Sequence, residues 1–519
     1  MSLSRFIAFN ACVLTLAAHA YTAPRPNIIH IIVDDMGYSD LGCTGSEIRT
    51  PHLDRLANEG ILFTHFYNAG KCEVTRASLM SGRWWMDTGI GVKKGPTIGQ
   101  ELQAADYRTY AVGKWHLDGN PVDRGFDRFF GHLSGASDYF VGNKTWRLDH
   151  SPFTAFSEEF YATDANTDYT IEFIEEGRQE EPEKPFYVYL AYNAPHNPLQ
   201  VPEEDFEKYR GRYLAGWDSI RESRFKKQKQ LGIVPPHAAL PERPLNLPNW
   251  EDLSDEQKDL EDQRMAIYAS MVERIDHNVG RLVNYLSESG QLENTLLLFH
   301  SDNGANPFSR TDAAMLNMGK SPGDRDSNWE PGNGWAYACV TPFRMYKRHQ
   351  HEGGIRSPLI AWWPKMNEGK RIINDTPLHI VDILPTLTEL AGSQKESDSR
   401  PGKSMAPLFS KSPYQPHKYI YFQLMDHRAL RFGEWKLSAH DSGPWELYNL
   451  AEDPTESKNL FSSNRALAKS LAKEWNAWWG QYNNEPYSPR RTPEELRVGD
   501  DKNGVPYLPF PRKSVSSQN

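Results

Sequence analysis

The chain has 519 residues, of which 58 are Lys or Arg and 68 are Asp or Glu, for a formal net charge of -10. That acidic balance, spread without long charged blocks, argues against nucleic acid as a partner and leaves any anionic substrate to be held by local cations. The length exceeds what one hydrophobic core usually serves, which predicts a large domain with a smaller companion.

At the start, Arg5 is a positive flank, Phe6 to Ala18 is mostly apolar, and Ala18-His19-Ala20 has the small-x-small form of a cleavage site. Together they predict a signal peptide over residues 1–20 and a mature chain beginning near Tyr21. The run is shorter than the roughly 20 apolar residues of a membrane anchor. No later segment reads as a span, so a soluble product in a periplasm or outside the cell is expected. Of the four cysteines, Cys12 leaves with the signal. Cys43, Cys72 and Cys339 are too few for a disulfide scaffold; Cys43 and Cys339 form either one bridge or two buried thiols.

Next come apolar runs that stop abruptly at polar residues. Asn27 to Val33 ends in Asp34-Asp35, and Tyr107 to Val112 ends in Gly113-Lys114-Trp115-His116. Phe186 to Tyr192 ends in Asn193-Ala194-Pro195-His196, and Thr295 to Phe299 is followed by Ser301-Asp302-Asn303. Nearly continuous apolar runs of this length fit strands buried on both faces, as in a parallel sheet covered by helices. Helical patterns lie between them: His52 to Gly60, with the glycine as a stop, and Gln263 to Ser287, where Ile267, Met271, Ile275, Val279 and Leu282 recur at three- and four-residue spacing. The alternation predicts an α/β fold, a large, mostly parallel sheet sandwiched by helices. The polar clusters would then meet beyond the carboxyl ends of the strands.

From about Tyr419 the runs become short strands separated by turns, then a helical stretch from Ser463 to Trp479. This predicts a smaller C-terminal antiparallel sheet with a packed helix. The expected organisation is a large domain over 21–395, a linker over 396–418, a C-terminal subdomain over 419–482 and an extended tail over 483–519.

Two oxygen-rich pairs, Asp34-Asp35 and Asp302-Asn303, each follow a buried strand, and hard oxygen donors select Ca²⁺ or Mg²⁺ over zinc. The segment Lys71-Cys72-Glu73-Val74-Thr75-Arg76-Ala77-Ser78-Leu79-Met80-Ser81-Gly82-Arg83 places a cysteine, and an arginine four residues on, where a helix begins and its free N–H groups attract an anion. It resembles the signature of the formylglycine-dependent sulfatases, in which C-x-P-S-R or C-x-A-S-R precedes L-x-x-G-R. Val74 stands where that signature has proline or alanine, and Thr75 where it has serine. Further blocks in the family's order run from residue 27 to about 460, among them NIIHIIVDDMGYSDLGC, YAVGKWHL, YLAYNAPHNPLQVP, LFHSDNGA and TPFRMYKRHQHEGGIRSPLIAWWP. The arylsulfatase-like branch, of the alkaline-phosphatase superfamily, is the nearest in pattern.

The resemblance implies a sulfuric ester hydrolase. Its metal, Ca²⁺ or Mg²⁺, would be held by Asp34, Asp35, Asp302 and Asn303. A maturation enzyme would convert Cys72 to a formylglycine, held as its hydrate by Arg76. Lys114, His116, His196 and Lys347 match the residues that surround the sulfate. The implied mechanism is covalent: one hydrate hydroxyl attacks sulfur, the alcohol leaves with a proton from His196 or Lys347, and the second hydroxyl expels sulfate with His116 as base. The alternatives are a phosphate or phosphonate ester hydrolase of the same superfamily and, with Cys72 unconverted, a catalytically silent binder of sulfated glycans. His300, His349, His351 and His379 read as structural or surface histidines. Trp84, Trp85, Trp115, Trp146 and Trp335 are core, cleft wall or stacking residues.

Overall fold

The computed structural model describes residues 25–367, 369–393, 400–483 and 487. The expected signal peptide lies outside the described residues, as does the expected tail apart from residues 483 and 487.

Strands β1 (Asn27–Val33), β2 (Ile61–Tyr67), β3 (Arg108–Lys114), β4 (Arg128–His132), β5 (Trp146–Leu148), β6 (Ser151–Pro152), β7 (Phe186–Ala191), β8 (Thr295–Ser301), β9 (Arg356–Trp362), β10 (Ile372–Asn374) and β11 (Leu378–His379) form one sheet. Its order is β10-β2-β9-β8-β1-β7-β3-β4-β5-β6, with β11 beside β2. The strands whose polar ends the sequence singled out, β8, β1, β7 and β3, are consecutive neighbours and parallel throughout. Strand β9 runs antiparallel to β2 and β8, and β5 antiparallel to β4, so the sheet is mixed but mostly parallel, as expected.

Why the central strands read as unbroken apolar runs is visible in β1. Ile29, Ile31 and Val33 enter one core and Ile28 and Ile32 the other, so from Ile28 onward no position faces water. The first core packs under helices Pro51–Glu59, Ala162–Glu180, Gly216–Gln230 and Asp255–Glu288; the second packs under Cys72–Ser81, Ile98–Ala104 and Ile383–Leu390.

Helix Asp255–Glu288 is longer than its apolar stripe predicts. Its opening turns are polar, and a capping box starts it: Ser254 Oγ accepts from Gln257 N (3.3 Å) while Gln257 Oε1 accepts from Ser254 N (2.8 Å). Helix Pro51–Glu59 does stop at Gly60, but not through a left-handed turn, since Gly60 has φ -129°. A Cβ there would lie 2.6 Å from Ala361 O, so close approach of β9 requires the glycine.

A second sheet, β12 (Ile420–Leu424), β13 (His427–Phe432), β14 (Trp435–Ala439) and β15 (Glu446–Asn449), is antiparallel in sequence order. Helix Arg465–Trp479 packs on it through Ala468, Leu471, Trp475 and Trp478. In the segment between the sheets, helix Ala406–Phe409 buries Ala406 and Phe409 in the second core. Cys43, Cys72 and Cys339 are all free and buried, so the two-thiol alternative holds. Among the described residues no helix is long and apolar enough to cross a membrane.

Candidate active site

The carboxyl ends of β1, β3 and β8 and the loops that follow β7 and precede β9 converge on one buried cluster. Asp34 and Asp35 follow β1, and Asp302 and Asn303 follow β8; all four are fully buried. The backbone N–H of Asp35 donates to Asp302 Oδ1 (3.3 Å), which ties the two strand ends together. Asp35 sits at φ 68°, in the left-handed region that a non-glycine residue enters only at a cost.

Cys72 opens helix Cys72–Ser81, and its Sγ lies 3.2 Å from Asp34 Oδ1. One turn on, the buried Arg76 guanidinium is fixed at every nitrogen. Nε and Nη2 donate to Asp302 Oδ2 (3.2 and 2.9 Å), and Nη1 donates to Lys114 O (2.8 Å) and Tyr189 Oη (3.1 Å). The Lys114 ammonium donates to Asp34 Oδ2, and Lys347 Nζ donates to Asp35 Oδ2 (2.8 Å). His196 Nε2 is 3.5 Å from Asp35 Oδ2, while its Nδ1 donates to Asn197 O (2.6 Å). His116, at φ 53°, has a buried Nδ1 with no hydrogen-bond partner. All ten residues anticipated from the sequence therefore belong to one cluster.

The charges act on one another. Burial works to raise the Asp34 pKa, but Lys114, His196, Lys347 and Arg76 hold it well below the usual carboxylate range. Asp302 is held up at about 7 by burial and by the negative Asp34 beside it. Burial opposes the charge on Lys347, yet Asp35 raises its pKa above the ordinary lysine value. His116 is lowered to about 2 by burial and then by Lys114 and Arg76; burial also lowers His196, against the pull of Asp34 and Asp35. Both imidazoles are therefore neutral near pH 7. Burial, with Asp34 adding to it, pushes the Cys72 thiol up.

The donor set fits a hard divalent cation. Three buried carboxylates face one another, and the Asn303 Oδ1 atom is buried without a hydrogen-bond partner while its Nδ2 donates to Asp35 Oδ1 (2.6 Å). One ligand atom each of Asp34, Asp35, Cys72 and His196 lies within 4.8 Å of the others.

Three contributors escaped the sequence reading. Tyr189 braces Arg76 from inside an aromatic-rich strand that gave no sign of it. His132 pairs with Lys114 in register and has a buried Nε2 without a partner; here β4, another apolar run ending in a polar residue, was the available signal. Glu73, beside Cys72, holds a buried Oε2 with no partner. The histidines read as structural are buried elsewhere: His300 Nε2 meets His30 Nε2 at 2.8 Å, His351 pairs with Glu446 at 3.1 Å, His379 accepts from Val381 N, and His349 donates to Tyr346 O. Trp115, Trp146 and Trp335 are at most 1% exposed and belong to the core rather than to a stacking surface.

The chain has extensive relatives among known proteins. Residues 26–393 match the Sulfatase family model, and residues 343–478 match the family described as N-sulphoglucosamine sulphohydrolase, C-terminal. An uncharacterized sulfatase of Schizosaccharomyces pombe is 32% identical over 521 residues, covering 87% of this chain and 93% of its own. An arylsulfatase of Klebsiella aerogenes is 31% identical over 454 residues, covering 78% of this chain and 96% of its own. The crystal structure of Ps i-CgsB in complex with k-i-k-neocarrahexaose is similar with a TM-score of 0.67 at 27% identity, covering 91% of this chain and 97% of that one. With most of its length matched and its mixed sheet ending in this cluster, the chain belongs to the sulfatase family and is an arylsulfatase-like sulfuric ester hydrolase.

Proposed function

We propose that this hydrolase releases sulfate from a sulfated carbohydrate or an aryl sulfate, with Cys72 converted to formylglycine by a maturation enzyme and a Ca²⁺ or Mg²⁺ ion held by Asp34, Asp35, Asp302 and Asn303. The observation that carries this reading is the position of Cys72: first residue of a buried helix, 3.2 Å from Asp34 Oδ1, within a ring formed by Arg76, Lys114 and Lys347. When present, the cation would supply positive charge to the sulfate oxygens and the formylglycine hydrate an oxygen nucleophile.

The chain's own groups do the rest. Arg76, immobilised by four hydrogen bonds, orients the side chain at position 72. Lys114 and Lys347 offer ammonium donors to the non-bridging oxygens and neutralise the charge that develops there. Lys347, whose ammonium is held charged beside Asp35, is the group that already carries a proton for the leaving alcohol; His196 keeps its one proton on Nδ1 against Asn197 O and can donate from Nε2 only after that nitrogen is protonated. His116, kept neutral, accepts a proton at Nδ1 when sulfate is expelled. An unmodified thiol serves poorly here, since burial keeps it protonated and a thiol is a weak nucleophile. That favours conversion.

Turnover of 4-nitrophenyl sulfate against 4-nitrophenyl phosphate, before and after chelation, tests the reading. It expects the sulfate to be the better substrate and the activity to be lost with EDTA and restored by Ca²⁺ or Mg²⁺. Faster phosphate turnover, or indifference to the chelator, contradicts it. We further propose export to a periplasm or the extracellular space, on the strength of Arg5, the apolar run Phe6 to Ala18 and the Ala18-His19-Ala20 site. N-terminal sequencing of the secreted protein should begin near Tyr21; an intact Met1 would contradict export.

A further inference from the structure

Next to Lys347 stands a guanidinium that the cluster does not use. Arg348 is held at φ 78°, and its N–H donates to Gly70 O (2.7 Å), which fastens its backbone to the loop that leads into Cys72. Its Cζ lies 4.5 Å from the centre of the Phe308 ring, and that of Arg310 lies 4.3 Å from the same ring. The two cations differ in what neutralises them. Arg310 Nη2 and Nε donate to Glu330 Oε1 (2.6 and 3.1 Å). Arg348 forms no ion pair and no side-chain hydrogen bond among the described residues, and its Nε is buried without a partner.

A half-buried cation without a counter-ion costs free energy unless a ligand supplies the missing charge. Its surroundings indicate where that ligand sits. Burial and Arg310 disfavour the Arg348 charge while Glu73, Cys72 and Asp35 favour it, so the guanidinium lies within electrostatic reach of the reaction centre. The scissile sulfate already has Lys114, Lys347 and two imidazoles assigned to it, and Arg76 is taken by position 72. Arg348 is a surplus cation beside Lys347, over the Phe308 ring, and its guanidinium N–H groups, which have no partner among the described residues, can form bidentate hydrogen bonds to an oxyanion.

We infer that Arg348 binds a second oxyanion of the substrate, a carboxylate or a second sulfate carried near the scissile one, and that the substrate class is a polyanionic glycan rather than a singly charged aryl sulfate. This rests on the sulfatase reading of the site. The positive φ of Arg348 is consistent with that role, because such strain persists where placement of a side chain matters.

Calorimetry on the full mature chain carrying Cys72→Ala, which binds without turnover, decides the inference. The probes are glucosamine 6-O-sulfate, glucosamine 2-N,6-O-disulfate and a uronyl-glucosamine 6-O-sulfate disaccharide. The expectation is that at least one doubly charged probe binds about tenfold or more tightly than the monosulfate, as a charge-assisted hydrogen bond supplies. Which one it is identifies the anion. Adding Arg348→Gln should abolish that preference, and Arg348→Lys should keep part of it. If no doubly charged probe binds more tightly than the monosulfate, or if Arg348→Gln weakens all three alike, the inference is overturned. Should the unmutated enzyme release no sulfate from 4-nitrophenyl sulfate, the sulfatase reading fails by itself while the binding result still decides Arg348.

Discussion

One short segment, from Lys347 to Glu352, feeds two buried charge clusters, one through each residue, and they are built to opposite ends. The junction cluster closes on itself. Glu352 Oε1 accepts from Lys436 Nζ (2.7 Å), its Oε2 accepts from Tyr67 Oη (2.9 Å) and Arg356 Nη1 (3.0 Å), and its backbone N–H donates to Glu456 Oε2 (2.7 Å). Arg431 completes it through Tyr67. The reactive cluster at the strand ends has the same ingredients, carboxylates against lysine and arginine, but leaves Asn303 Oδ1 and His116 Nδ1 unpartnered and sets Cys72 among them. Burial of charge alone therefore does not mark a catalytic site. What separates the two is that the junction pairs each of its charges, Lys436 Nζ meeting Glu456 Oε1 at 2.9 Å as well as Glu352, whereas the reactive cluster leaves an amide oxygen and an imidazole nitrogen open beside Cys72.

The contrast is sharpest in what each cluster loses on mutation. Lys347→Ala should lower kcat/KM about 10²- to 10³-fold, the usual cost of removing one donor aimed at developing charge, while the melting temperature, compared with Ca²⁺ or Mg²⁺ present to neutralise the Asp35 carboxylate that Lys347 leaves behind, hardly falls. A large drop in melting temperature would place Lys347 with the structural lysines. Lys436→Met should do the reverse. Breaking a fully buried pair costs about 3–5 kcal/mol, so chemical denaturation should show a clear loss of stability. The fraction that remains folded should keep most of its turnover per molecule.

A smaller effect separates the clusters by pH. Burial works to raise the Glu352 pKa, but Lys436, Arg356 and Arg431 hold it at about 2, below the ordinary 4.5. A carboxyl depressed in the folded state contributes stability that is fully present above about 4.5 and is lost as pH falls through about 2. Stability should therefore decline across that acid window in the unmutated protein and decline less in Lys436→Met, where part of the depression is already gone. Equal slopes would dissociate Glu352 from the junction's stability.

Much of this arrangement was legible before any coordinates. The four central strands could be read because each is buried on both faces, which makes an unbroken apolar run, and because the polar residue at its end interrupts that run. Order along the chain then implied a shared edge. The edge strands β5, β6, β10 and β11 are two or three residues long, too short to carry a pattern. The antiparallel course of β9 left no trace in its composition. Within the site, the ligand-type residues announced themselves by type and position, whereas Tyr189 looks like any other aromatic of a core strand. Arg348 was invisible for a different reason: its significance lies in the absence of a partner, which only folding reveals.

The mass of the peptide containing Cys72, taken from protein made in its native host or beside a matching maturation enzyme, tests the central claim most directly. The account predicts the formylglycine mass in place of cysteine, with sulfatase activity rising in proportion to that fraction. Plain cysteine throughout in protein that still hydrolyses sulfate esters would contradict the proposed nucleophile.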